Sequence, residues 1–143
     1  ERQAVWLDRI LAQNPQRWTI VGIHQPIYST GRKRDNRRLK DLLVPVFDKY
    51  AVDLVLQGHD HTYSRTGKLR NGRRAQAGEK GTVYVISVCG PKAYALNHRH
   101  AAIMDQSGTG RQLFQVIEVA PDRLAYASYD GTGKVCDSFV LKK

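Results

Sequence analysis

Two apolar runs with an amphipathic stretch between them dictate much of what this chain can become. Trp18–His24 (WTIVGIH) is nearly continuous in apolar residues, the pattern of a strand buried on both faces. Gln25-Pro26 stops it, and Tyr28–Arg38 is polar, basic and glycine-containing, so it reads as a loop. From Asn36 to Tyr50 the apolar residues Leu39, Leu42, Leu43, Val46, Phe47 and Tyr50 recur at helical spacing. Pro45 inside that stretch is expected to kink the helix or divide it into two pieces. Val52–Leu56 (VDLVL) is the second run, ended by Gly58. Strand, helix, strand at this spacing is a crossover unit with parallel strands and a right-handed connection. The carboxyl ends of both strands then lie on one edge of a sheet, the edge at which open α/β sheets bind ligands.

That placement gives the histidines their meaning. His24 ends the first strand, and Gly58-His59-Asp60-His61 follows the second. Two imidazoles at i and i+2 after a strand, with a glycine allowing a tight turn, suit metal ligation. A lone HxH is weak, because exposed or core histidines are commoner. A third imidazole brought to the same edge is harder to explain by packing. Asp60 is either an acceptor orienting a ligand or simply exposed. His98 and His100 form a second HxH around Arg99, but with no strand to place it, and it reads as surface loop.

The rest of the chain supplies a frame. Residues 2–13 read as a helix with Trp6, Leu7, Ile10 and Leu11 on one apolar face, ended by Asn14-Pro15. Gly67–Gly81 reads as a basic surface loop, Thr82–Val88 as a strand, and Gly90–Gly110 shows no periodicity. Gln112–Val119, Arg123–Tyr129 and Lys134–Leu141 alternate like strands and are separated by Pro121-Asp122 and Gly131-Thr132-Gly133, the pattern of an antiparallel meander. The fold class is therefore α/β, parallel strands first and an antiparallel meander after.

Charge narrows the function classes. The net charge of +10 is local: Arg32–Lys40 and Arg65–Lys80 each carry six basic residues and one acid, and the remainder is neutral. Two basic windows on a neutral body fit an anionic partner, whether phosphate, nucleic acid or a membrane surface, or else two solvated loops. Arg32, Lys33 or Arg34 could clamp a phosphate, and Asn36 could donate to one or cap the helix that follows. A nucleic-acid-binding module is a rival reading, against which stands the lack of interleaved aromatics. No apolar run approaches the roughly 20 residues of a membrane span. Cys89 and Cys136, 47 residues apart and without a CxxC, read as two buried thiols rather than a zinc site, with a disulfide left open.

Gly22-Ile23-His24-Gln25-Pro26 together with Gly58-His59-Asp60-His61-Thr62-Tyr63 resembles the last two motifs of the calcineurin-like metallophosphoesterases. Trp18–Pro26, Phe47–Arg65 and the closing Tyr126–Leu141 strand pair look like the C-terminal half of a purple acid phosphatase-like enzyme, nearest the bacterial type. The resemblance implies the C-terminal half of a four-layer α/β/β/α sandwich, residues 1–143 forming part of a single domain. It implies a hydrolase of phosphate mono- or diesters with two metal ions, of iron, zinc or manganese. His24 and His59 would bind one metal and His61 the other, and a metal-activated hydroxide would attack phosphorus. It also implies a periplasmic or secreted setting.

The DxH, GDxxY and GNH[DE] motifs that supply the family's other ligands do not occur in this chain. No histidine lies between His24 and His59, where some purple acid phosphatases carry a substrate-facing one, so the residue that protonates the leaving group is not identified. The chain alone is expected to bind metal weakly through His59 and His61 and to turn over slowly if at all. A catalytically dead interaction domain, self-associating through an exposed sheet edge, is the other rival.

Overall fold

The computed structural model describes residues 1–32, 34–88 and 90–143. The first helix, α1, spans Arg2–Ala12 and is followed by β1, Ile20–Ile23. Helix α2, Arg37–Tyr50, leads into β2, Leu54–Gln57. Strands β3 (Tyr63–Thr66), β4 (Leu69–Arg70), β5 (Arg73–Arg74) and β6 (Val83–Ile86) come next. After a 3-10 turn at Ala101–Ile103 come β7 (Met104–Gly108), β8 (Leu113–Val119), β9 (Arg123–Asp130) and β10 (Val135–Lys142).

Five strands form one sheet in the order β1-β2-β6-β3-β7. The first three are parallel, with Ile23 opposite Gln57 and Gln57 opposite Ile86. β3 runs antiparallel to both β6 and β7. A separate three-stranded sheet, β10-β9-β8, is the antiparallel meander expected from the alternation. The short hairpin β4-β5 lies in the segment expected as plain loop.

Two cores hold three layers together. Leu11, Leu43, Phe47, Val52, Val55 and Tyr84 pack the helices onto one face of the large sheet. Leu54, Val83, Val85, Leu124, Tyr126 and Leu141 pack the small sheet onto the other face. Successive strand residues point to opposite faces, so Leu54 and Val55 serve the two cores in turn. A cation also joins the two sheets. Arg65 of β3 donates through Nε and Nη2 to Asp137 of β10 at 2.7 and 3.0 Å, and through Nη1 to Asp105 at 2.9 Å.

Several expectations are corrected. β1 is an edge strand of the large sheet, not a strand buried on both faces, and Ile20 is 38% exposed. Trp6 and Ile10 do not join the packed face of α1: the stripe that meets α2 is Ala4, Leu7 and Leu11, and the bulkier pair lies beside it facing out. α2 is not divided at Pro45 but runs through it as one segment. Proline removes one N–H donor and its ring crowds the carbonyl of the preceding turn, a cost that packing of Leu43, Val44 and Phe47 outweighs. β3 and β7 fall where no strand was expected, because both are polar and take their pairing from neighbours. Cys136 is half-buried and free rather than buried; Cys89 lies outside the described residues.

Candidate metal centre

β1, β2 and β6 are parallel, so their carboxyl ends share one edge of the sheet, and the loops leaving all three meet there. His24 follows β1 directly. Gly58 and His59 follow β2, with Gly58 N donating to His24 O at 3.1 Å and locking the two strand ends together. His59 takes a left-handed backbone conformation, φ 64°, which turns its ring back toward His24. The result is a facing pair: His24 Nε2 stands 3.2 Å from His59 Nδ1, with the ring centroids 5.1 Å apart and nearly perpendicular. Gln25 Nε2 lies 3.5 Å from the same Nδ1.

Two imidazole nitrogens at this separation fit a shared cation, since nitrogens roughly 2.0–2.1 Å from one tetrahedral ion stand roughly 3.3 Å apart. His61 does not join that pair. Its ring packs edge-on against Tyr94, centroids 4.8 Å apart, and its Nδ1 donates to Lys92 O at 3.2 Å. That bond fixes the tautomer and leaves Nε2 with a lone pair for a ligand. Among the described residues no three histidines, cysteines, aspartates or glutamates group closely enough to hold an ion. The donor set is therefore partial: a pair and a separate, oriented third imidazole.

Asp60 is buried rather than exposed, and its Oδ1 lies 4.0 Å from Nε of Arg34, the guanidinium that also meets His59. Its Oδ2 accepts from Ser29 Oγ at 2.5 Å and Gly31 N at 3.2 Å, and a Cβ on Gly31 would stand 3.0 Å from its carboxyl carbon. Asp60 thus binds the loop after β1 to the loop after β2. Gln57 does the same one turn earlier, accepting from Ile27 N at 2.6 Å.

The basic loop contributes one residue to the centre. Arg34 Nη1 contacts His59 Nε2, its Nη2 donates to Tyr94 OH at 3.2 Å, and its guanidinium lies 4.9 Å from the Tyr94 ring centroid. A guanidinium only donates, so His59 Nε2 accepts and the ring proton sits on Nδ1, facing His24. Arg32 is exposed, away from these contacts. Asn36 is engaged as a helix cap, its side chain accepting from Leu39 N at 3.0 Å. Lys33 lies outside the described residues. Of the second HxH, His98 is exposed and His100 pairs with Asp35 at 2.9 Å, so neither reaches the strand-end histidines.

Lys92 and Tyr94 were not found from the sequence. They belong to the loop after β6, which is drawn across the edge by Tyr94 N donating to His61 O at 3.0 Å and Asn97 N to Thr30 O at 2.7 Å. Nothing periodic marks that stretch, and only its long-range pairing brings it to the site.

The chain shares this architecture with known proteins. A family model for calcineurin-like phosphoesterases matches residues 1–63. An uncharacterized protein of Mycobacterium tuberculosis is 39% identical over 75 residues, 48% of this chain and 14% of that protein. Tartrate-resistant acid phosphatase type 5 of Oryctolagus cuniculus is 26% identical over 145 residues, 92% of this chain and 40% of that protein. The chain spans less than half the length of these relatives. Among solved structures, purple acid phosphatase PPD1 from yellow lupin superposes with a TM-score of 0.84 at 18% identity, over 99% of this chain and 28% of that one. GAP50, described as the anchor in the inner membrane complex of Plasmodium, gives 0.71 at 20% identity, over 98% of this chain and 41% of that one.

Proposed function

We propose that this metallophosphoesterase-like domain supplies part of a two-metal centre that hydrolyses phosphate mono- or diesters. The observation that carries the reading is the His24–His59 pair, two imidazole nitrogens 3.2 Å apart at the carboxyl ends of adjacent parallel strands. His24 and His59 would hold one ion and His61 a second, with Lys92 O keeping the His61 ring in the ligating tautomer. Bound there, the ions would supply Lewis acidity toward a phosphoryl oxygen and acidify water. Arg34 and Lys92 flank Tyr94 on the same edge and would receive the anionic ester, Arg34 as a fork and Lys92 as a point charge. Tyr94 excludes water from one side of His61 and holds Arg34 in place.

The chain's own ligands are too few for catalysis. Asp60 is engaged with Ser29, so no carboxylate here stands between the two ions, and a divalent pair needs one to offset its mutual repulsion. Carboxylate ligands would come from sequence outside these 143 residues, and the chain as it stands would be slow. The ions would be iron, zinc or manganese; one relative is named as an Fe(3+)-Zn(2+) purple acid phosphatase. A second reading, a non-catalytic interaction domain, is favoured by β1 standing at the open edge of the large sheet with Ile20 38% exposed.

The test is metal binding and p-nitrophenyl phosphate hydrolysis, by this chain and by the chain joined to the missing ligands. Binding of zinc or manganese by the chain, lost in His24→Ala/His59→Ala, with turnover only in the completed protein, is the expected result. Metal binding indifferent to both substitutions would overturn it, and turnover of roughly 1 per second by the 143 residues alone would overturn the assignment of ligands to absent sequence.

A further inference from the structure

We propose that a cavity at the opposite end of the same strands binds a small polyphosphate anion. The cavity, about 860 Å³, lies beneath the amino ends of β1, β2 and β6, where Thr19, Asp53 and Gly81 form part of its lining. It stands roughly 16 Å from the histidine edge, five residues along a strand. Its volume lies within the roughly 300–1,000 Å³ typical of small-molecule sites.

The charges of the lining do not balance. Its two acids are already engaged. Asp53 accepts from Thr19 N and from Lys143 Nζ, both at 2.8 Å. Glu79 accepts from Arg73 at 3.0 and 3.1 Å and from Gln76 N at 2.8 Å. Arg17, Lys68 and Lys80 line the same cavity and have no ion-pair partner among the described residues. Unneutralised cations around one cavity repel each other, and an anion placed among them removes that repulsion.

Their presentation is built. Lys80 follows a turn that is closed by Glu79 N donating to Gln76 O at 3.0 Å and completed by Gly78 at φ 79°. Lys68 is held by Ala75 N donating to its carbonyl at 2.9 Å and by the pairing of Leu69 with Thr82. Arg17 leads into β1, its carbonyl receiving Lys143 Nζ, which in turn lies 4.6 Å over the Trp18 ring. These cations, with Lys142 of β10 also in the lining, stand on separate segments and match an anion with several separated charges better than one with a single charge. A nucleic acid is disfavoured, because the rest of this basic window is committed within the protein: Arg65 to Asp137, Arg70 and Arg73 to Glu79, Arg74 to Asp105.

Isothermal titration calorimetry of the purified protein with sodium tripolyphosphate and with ATP, at about 0.15 M salt, tests this. Saturable binding of tripolyphosphate, at least tenfold tighter than of orthophosphate, is expected. ATP binding as well as or better than the inorganic chain supports the same site and reports whether a nucleoside adds contacts. Lys68→Glu/Lys80→Glu and, separately, Arg17→Glu should each weaken binding at least tenfold. These side chains are exposed, and thermal unfolding of each variant without ligand checks that the fold is kept. His24→Ala/His59→Ala should bind as the parent does. Loss of binding in that histidine variant would move the anion to the histidine edge, and binding unchanged by the charge reversals, or no saturation, would end the proposal.

Discussion

His59 holds a left-handed backbone conformation that a non-glycine residue adopts at a cost of roughly 1–2 kcal/mol. The strain aims its ring at His24, so in the proposed metal-binding role function and stability oppose each other at this position. His59→Gly should raise unfolding stability by about 1 kcal/mol while removing metal binding, as read by urea titration and metal-binding calorimetry. Arg34 presents a second opposition. Its guanidinium occupies His59 Nε2 and holds the ring proton on Nδ1, the atom that faces His24. A cation bound at Nδ1 must displace that proton and approach a fixed positive charge. Arg34→Gln should therefore tighten metal binding roughly tenfold, a change of about 1.4 kcal/mol, and in the proposed phosphoesterase completed with its carboxylate ligands should raise KM for the phosphate ester. Equal metal affinity in the two proteins would show that Arg34 does not compete.

At the scale of elements, α2 carries the connection between the two histidine-bearing strands, and its ends are unequal. Asn36 caps the amino end through Leu39 N, so Asn36→Ala should cost about 1 kcal/mol. At the carboxyl end Ala51 is left-handed, φ 50°, where a Cβ is unfavourable. Ala51→Gly should stabilise by about 1 kcal/mol, and the two effects should add, since the sites share no partner. Denaturant midpoints measured for both single variants and the double variant check the signs and the sum. β3 shows how an element can form against its own composition. Its four residues are all buried although three are polar, and Arg65 is tolerated there only because Asp137 and Asp105 surround it.

For the whole molecule, that same ion pair fastens the small sheet to the large one. Asp137→Ala would leave Arg65 Nε and Nη2 without an acceptor, with Asp105 alone facing the guanidinium and Tyr126 OH alone facing Tyr63 OH, and should destabilise by roughly 3 kcal/mol, with loss of cooperativity between the sheets in thermal unfolding. The buried tyrosines set an alkaline limit. Burial, followed by the charge of Asp48, pushes Tyr28 up to about 12 from 10.0. Burial also pushes Tyr126 up to about 12, and Tyr84 is raised by burial and by Tyr28. A phenol whose folded value is raised favours the folded state below its unfolded value of 10.0, and that contribution is lost as pH rises from there through the folded value. Spectrophotometric titration should show these three ionising only as the protein unfolds in alkali. At the acid end, burial raises the Asp35 carboxyl, but hydrogen bonds from His100 and Arg99 outweigh that and lower it. Its contribution is present above the ordinary carboxylate value and fades below about pH 4.

By itself the sequence determined the features that neighbours along the chain encode. The helical spacing of Leu39, Leu43 and Phe47 marks α2, and alternation marks β8 to β10. A parallel crossover sends both strand ends to one edge, so chain order alone brings His24 and His59 to the same side of the sheet. Tertiary structure decided the rest, because it depends on partners far along the chain. It made β1 an edge strand, since no local pattern says which strands pair. It turned polar Tyr63–Thr66 and Met104–Gly108 into strands, since pairing satisfies their backbone where hydrophobicity gives no cue. It chose Arg34 from a run of basic residues, and it drew Tyr94 over His61 from a loop without periodicity, because backbone bonds to His61 and Thr30 hold that loop at the edge.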